Sequence, residues 1–548
     1  MPKILIKEFD KTDAGTPDSY ENYSVLITGY RSKAYSEDDE IQPDFNGVYE
    51  FRSADDFAKI IGSVDPMQTI KYDEENNKTR VEYHYGNKMA YELLKLGYPV
   101  IYKAIDSIFE MCDEDFWEIF KDKASYDFRF ISHGLLASTP ATDVEQAEAK
   151  AKQSMAALTD EYELITSTIN KLEEIRAEAK AAYEAQEGDK ELEVLDFCEQ
   201  TYVDLDKSNF PGLIKDAVKG TYYESFSEAD VSVASRKSVL EDELADLTAE
   251  LAEIKANLEN NYFSTTKINK VNGYIANLAS YSENAPTGRG DCVALLELDE
   301  NTYKDMSSKA AIAKIIESIG VLSTEAAITV NNGKYCALTV PSVDYESIGR
   351  FPAAFHYLAC FKNALDLGFN EWYAAAGYTR GVASKAIKST TVKLGEIAIN
   401  ALEPRVSGDD APVFACNVIA NFRGSYYLWG NRTVHPLDTK GLVASHFLNI
   451  RQLCTTIKKQ LYIACRRFTF DPNSDTLWFN FVGAIRPTLD AMKADQGIRD
   501  YKIIKEAAKE KATLKAKIRI IPIEAVEDFD IDVYLEDEFG ETSINTVE

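Results

Sequence analysis

Two apolar seams constrain this chain more than any other feature. Leu240, Leu244, Leu247, Leu251, Ile254 and Leu258 step by four and three residues in turn, and upstream Met155, Leu158, Tyr162, Ile165, Ile169 and Leu172 do the same. A 3.5-residue period puts each set on one stripe of a helix and excludes a strand. The Ala-, Glu- and Lys-rich stretch from Val144 to about Gln186 and the segment around Leu240 are therefore read as two long helices, separated by breakers such as "FPG". Folding back as an antiparallel hairpin and pairing each helix with a second chain satisfy the spacing equally well.

The flanks of this helical block read differently. Before it, "ILIKEF", "SVLITGY" and "PVIYKAI" are short strands around the amphipathic "MAYELLKLGY", and "FRFISHGLL" adds a strand and a glycine turn. After it, "CVALLELD" and "KYCALTV" alternate with helices at "KAAIAKIIESIG" and "RFPAAFHYLACFKNALDLG". Residues 396–467 are strands first and then one helix from about Ser445, and Ser474 caps a further helix. "LKAKIRIIPI" and "FDIDVYLED" close the chain as strands, with Pro522 marking an edge. Alternating strands and helices give an α+β class with several domains.

Chemistry is sparse. There is no GxxxxGK[ST] loop, because "GYTRGVASK" has the wrong spacing, and no GxSxG. His84, His133, His356, His435 and His446 stand apart without carboxylate-flanked pairs and read as structural. Most of the eight cysteines lie among apolar neighbours, there is no CxxC, and they read as buried free thiols of a reducing compartment. "RGD" at Arg289–Asp291 reads as a turn. The expectation is no enzyme, no metal and no cofactor. "MPKILIKEFDK" carries charges where a leader has an apolar core, so cytoplasmic synthesis is expected. A net charge of −30 argues against nucleic acid or a membrane as partners.

Against that charge, residues 417–467 hold eight Lys and Arg and one acid, Asp438. On a helical wheel Arg451, Lys458, Lys459, Arg466 and Arg467 fall outside the apolar arc that holds Phe447, Ile450, Cys454, Ile457 and Leu461, on the remaining face. The expectation is a helix with one core face and one basic stripe seeking an acidic partner. From Ile521 to the end there are ten acids and no Lys or Arg. Strand-forming ends of this kind are prone to pair with another chain.

Six segments, in order, resemble the contractile tail sheath proteins of phages and related injection machines: "GRGDCVALLELD", "EWYAAAGYTRG", "NVIANFRGSYYLWGNRT", "ASHFLNIRQLCTTIKKQL", "FTFDPNSDTLW" and "IRIIPIEAVEDFDI". They span residues 265–535. Ala375 departs from the family's usual proline, and Pro487 stands in a helix that normally runs through. Residues 142–262 match nothing in the family core and are read as an insertion.

The resemblance implies an N-terminal arm and linker at 1–23, an α/β domain at 24–141, the helical insertion at 142–262 and a middle α/β domain at 263–395. It further implies a C-terminal sheath domain at 396–512 and an acidic arm at 513–548. In such a protein hexameric rings stack helically around an inner tail tube, with baseplate and tail terminator proteins at the ends, in a virion tail assembled in a host cytoplasm. Contraction drives the tube through the host envelope. The tube-facing residues would be Arg451, Lys458, Lys459, Arg466 and Arg467. The inter-subunit arm strands would carry Ile4, Ile6 and Phe9 at one end and Phe529, Ile531, Val533 and Leu535 at the other.

Overall fold

Short, almost wholly apolar runs set the architecture. "VLITGY" (β1, Val25–Tyr30) and "VALL" (Val293–Leu296) are buried along their whole length, as strands covered on both faces must be. The computed structural model describes residues 23–525 apart from 63, 65–66, 74–77, 139–141, 186–192, 206–222, 282–287, 404–410, 438–440 and 508–512. Two compact units emerge: residues 1–138 with 263–548, and residues 139–262.

The first unit is built on an eight-stranded sheet. After β1 the strands are β2 (Val48–Phe51), a separate hairpin β3 (Met67–Asp73) and β4 (Lys78–Tyr83), β5 (Val100–Ile105), β6 (Phe130–Ser132), β7 (Val293–Leu296) and β8 (Cys336–Val340). A small sheet follows in β9 (Val343–Tyr345), β10 (Gly349–Phe351) and β11 (Ile387–Thr390). Then come β12 (Asn417–Phe422), β13 (Ser425–Trp429), β14 (Ile498–Glu506) and β15 (Lys515–Pro522). The large sheet runs β13-β12-β8-β7-β6-β1-β5-β2. Its six inner strands are parallel, and β2 and β13 close the edges antiparallel.

This topology redraws the expected domains. β6 pairs with β7 in the register Phe130↔Val293, and β8 pairs with β12. Segments 24–141, 263–395 and the first strands of 396–512 therefore share one sheet. The physical reason is the parallel ladder itself: a parallel neighbour needs a long crossover, so strands adjacent in space are far apart in sequence. Helices α1 (Gly86–Lys95) and α7 (Ala353–Asp366) contribute to the core on one face, and α5 (Thr265–Ala279) and α6 (Ser308–Glu325) to the core on the other. The label α+β is thus kept for the class, with a predominantly parallel sheet inside it.

A third core joins helix α8 (Leu448–Arg467), helix α9 (Asp475–Ala494) and the hairpin β14–β15 through Leu453, Ile457, Phe481, Ile485, Leu489 and Ile498. α9 runs straight through Pro487. The residue four before it is Gly483, with open space where a side chain would be. β14, "IRDYKIIKE", is a strand that the sequence pattern did not reveal.

The second unit contains α2 (Thr142–Glu184), α3 (Val194–Asp204) and α4 (Phe226–Asn261). Arg176 meets Asp230 and Arg236 meets Glu161, so α2 and α4 run antiparallel. Ile165, Leu172, Ile175, Val233 and Leu240 fill the space between them with Cys198 and Tyr202 of α3. Ile165 and Leu172 of one seam and Leu240 of the other are thus buried within one chain.

Candidate functional site

In an open, mostly parallel sheet the default ligand crevice lies beyond the carboxyl ends of the strands where the order reverses, here between β1 and β6. That crevice is filled by side chains. The His84 Nε2–H donates to the His133 carbonyl at 2.9 Å, and the His133 Nε2–H donates to Asn272 Oδ1 at 3.0 Å. Their Nδ1 atoms accept from Gly86 N and Leu135 N. Asn87 Nδ2 and the Tyr102 hydroxyl both donate to the Tyr30 carbonyl. Gly86 and Gly134 pack back to back, and a Cβ on Gly86 would collide with the Thr28 carbonyl oxygen. Each ring nitrogen of both histidines is occupied in the neutral form.

That arrangement predicts a stability maximum. Burial pulls His84 down to about 3, and burial pulls His133 down to about 4 against the pull of its Asn272 bond. Burial also takes His356, which accepts from the Tyr345 hydroxyl, down to about 3. A depressed pKa gives stability that is present above the unfolded value of 6.5 and lost as pH falls toward 3–4. Glu297 goes the other way. Burial raises it to about 8 although Ala354 N donates to it at 2.6 Å, so its contribution is lost as pH rises from 4.5 to 8. Three protons against one below pH 6.5, and one alone above it, give opposite slopes of about 3 and about 1 kcal/mol per pH unit. The melting midpoint is expected to peak near pH 6.5. A thermal scan from pH 4.5 to 8.5 checks this, and a midpoint still rising at pH 8 contradicts it.

The basic helix is placed differently from the wheel's expectation. The first three turns of α8 are buried on every side, so Arg451 and Lys459 are buried and Lys458 is half-buried. Lys459 pairs with Asp127 and lies 3.7 Å from Asp291. Lys458 donates to the Gly290 carbonyl at 2.8 Å and the Tyr335 hydroxyl at 3.2 Å. The Arg451 guanidinium lies 4.3 Å from the centre of the Tyr335 ring. The exposed stripe is corrected to Arg466 and Arg467, which with Tyr462, Ile463 and Phe470 form the open end of the helix. A wheel assumes one covered side. It has no means of seeing Asp127 and Asp291, which come from distant segments and draw the lysines inward.

Two arginines outside the expected stripe anchor this region: Arg129, which the sequence reading did not single out, and Arg289 of the RGD. Arg129, fully buried, donates from Nε and Nη2 to the Gln452 side chain and carbonyl and from Nη1 to Thr456 Oγ1, all at 2.8–2.9 Å. Thr456 passes its own proton to Glu371 at 2.7 Å. Arg289 grips Asp291 with two nitrogens and donates to the Phe120 carbonyl, so the RGD is an internal brace leading into β7. A lone arginine inside the apolar run "FRFIS" was the available signal.

The aromatic segment 417–433 forms β12, a tight turn with Arg423 at φ 54° and Gly424 at φ 92°, and β13. Phe422, Tyr427 and Trp429 cluster around Tyr378. Its end is tied to two other motifs: Asn431 Nδ2 donates to Asn449 Oδ1 at 2.7 Å, and Asn449 Nδ2 donates to the Trp372 carbonyl at 3.1 Å. Trp372 Nε1 in turn donates to the Asp495 carbonyl between α9 and β14. Ile4, Ile6, Phe9, Phe529, Ile531, Val533 and Leu535 lie outside the described residues. Among the described residues there is no group of three His, Cys, Asp or Glu placed to hold a metal, all eight cysteines are free, and no helix is long and apolar enough to cross a membrane.

No family model and no curated protein matches the chain. Among solved structures, the sheath complex of an extracellular contractile injection system, PVC, in its contracted state is similar over 49% of this chain and 68% of its own, at 14% identity and a TM-score of 0.37. Such neighbours include contractile injection system sheaths. The anti-feeding prophage (AFP) baseplate matches over 50% of this chain and 66% of its own at 15% identity and TM-score 0.36. The AFP helical sheath in the contracted state matches over 49% and 66%, at 15% and 0.33.

Proposed function

We propose that the chain is a structural, non-catalytic subunit of a contractile sheath. The observation that carries the reading is the hydrogen-bonded frame Asn431–Asn449–Trp372–Asp495. It ties three of the segments that resemble sheath proteins, far apart in the sequence, to the turn before β14. An ordered set of motifs that meets in one place is what a shared C-terminal framework requires.

In this reading the subunits stack as hexameric rings around an inner tube, capped by baseplate and terminator proteins, in a virion tail assembled in a host cytoplasm. Work comes from exchanging one set of subunit contacts for another, since the crevice where a nucleotide would sit is filled. Arms from neighbouring copies add strands to the β14–β15 sheet, which has only two strands among the described residues. Head-to-tail contacts of this kind build open helical polymers. Helices α2, α3 and α4 add a body in which Ile165, Leu172 and Leu240 of the two seams share one core.

Purified protein is expected to polymerise into hollow, helically ridged tubes by electron microscopy. Monomers that persist over a wide range of concentration and salt would sink the reading. The exposed pair Arg466 and Arg467 is assigned to an acidic tube. Reversing both to Glu is expected to impair assembly on the tube, at about 0–1 kcal/mol per contact and with strong salt dependence, while tube-free polymers form as before.

A further inference from the structure

Arg289, Arg451, Lys458 and Lys459 meet around Gly290, Asp291 and Tyr335. Lys123 lies within electrostatic reach of Arg289 and Lys458, and the two nearby carboxylates are already engaged. Asp291 holds Arg289 with both oxygens, and Asp127 holds Lys459. That leaves Lys123, Arg451 and Lys458, none of which forms an ion pair among the described residues. Arg451 is 8% exposed, and its Nε is buried with no hydrogen-bond partner there.

Tyr335 organises the group. Arg451 lies 4.3 Å and Lys458 5.0 Å from the centre of its ring. Its hydroxyl oxygen accepts from Lys458, which keeps the phenolic proton free to donate. Lys458 spends two of its three N–H groups on Gly290 and Tyr335 and retains the third. Tyr281, 40% exposed, has its ring centre 5.9 Å from Lys458 Nζ.

We propose that Lys123, Arg451 and Lys458, with the Tyr335 hydroxyl, bind a tetrahedral dianion, a phosphate group. Arg451 presents a planar fork suited to two oxygens, the lysines are point charges, and Tyr335 supplies a neutral donor. A single carboxylate leaves two of the three charges unmatched. The electrostatics agree: burial and then the Arg451 charge hold Lys458 down at about 8. Lys123 is also held below its ordinary value, by burial first and then by Arg289 and Lys458 against the opposing pull of Asp291. A bound dianion relieves both. This site does not depend on the sheath reading.

The probe is inorganic phosphate on the full chain, with sodium chloride and sodium acetate at equal ionic strength as controls. Phosphate at about tenfold over its Kd is expected to raise the melting midpoint by about 1–3 °C beyond either control. Lys458→Gln and Arg451→Gln should abolish the increment. Lys123→Gln, at a half-exposed position that folding tolerates, should at least halve it. No increment in the wild type, an equal increment with acetate, or a full increment in Lys123→Gln overturns the proposal, whether or not the two buried variants fold. Glycerol phosphate distinguishes the sources: a larger increment than with inorganic phosphate assigns the site to a phosphate monoester, and an equal or smaller one to the free ion.

Discussion

Arg129→Met is expected to lower the stability of the main unit by about 3–5 kcal/mol, the range for breaking a buried charged network by removing one member. The guanidinium is fully buried and serves three acceptors on α8 at once. Methionine fills the volume but leaves the Gln452 side-chain oxygen and the Thr456 hydroxyl oxygen without the donor that Arg129 supplies, in an environment closed to water. It also leaves Glu371, bonded through Thr456, without its nearest positive charge along that chain of bonds. The Tyr23 and Phe361 rings, 5.4 and 5.8 Å from the guanidinium carbon, lose a cation that they partly solvate. Urea unfolding checks this: the midpoint should fall while the slope stays constant. Arg129→Lys should recover only part of the loss, because one ammonium does not reproduce a planar fork with three directed bonds. A loss below about 1 kcal/mol for the methionine variant would show that α8 is held by its apolar residues alone.

The same residue marks the limit of what the sequence tells. Elements with a clear period were readable: "VLITGY", "CVALLELD", the helix around Met89, and both heptad seams each carry a local pattern that burial then uses. The choice between hairpin and dimer was open, because a seam specifies an apolar face and not its occupant. β14 was not readable, since Arg499, Asp500, Lys502 and Lys505 break the alternation on a strand that covers only one small core. The partition into three α/β pieces failed to foresee the single sheet for a related reason. Nothing local to Phe130 or Val293 encodes that they are neighbours. The candidate site divides in the same way. Its basic character was plain from composition. The inward turn of Arg451, Lys458 and Lys459 depends on Asp127, Asp291 and Tyr335, which only the assembled sheet brings to α8.

Ending the chain at Glu527 is expected to raise the critical concentration for polymerisation by at least about 100-fold, with the melting midpoint of the free subunit unchanged. The reasoning begins with alternation. In the sequence Phe529, Ile531, Val533 and Leu535 alternate with Asp530, Asp532 and Tyr534, the pattern that would give a strand one apolar face. Paired beside β14 or β15, such a strand extends a sheet whose Tyr501, Ile503, Ile518 and Ile520 already cover the core of α8 and α9. Three or four ladder hydrogen bonds at about 1 kcal/mol each, with the apolar face added, amount to several kcal/mol per subunit link. Each 1.4 kcal/mol is tenfold in association, which sets the lower bound of about 100-fold. The unchanged midpoint is what distinguishes a strand given to a neighbour from one that serves its own chain. Sedimentation across a dilution series measures the first quantity and a thermal scan the second. Wild-type polymerisation by the truncated chain would remove the arm from the assembly, and a drop in the subunit's own midpoint would return the strand to the fold that carries it.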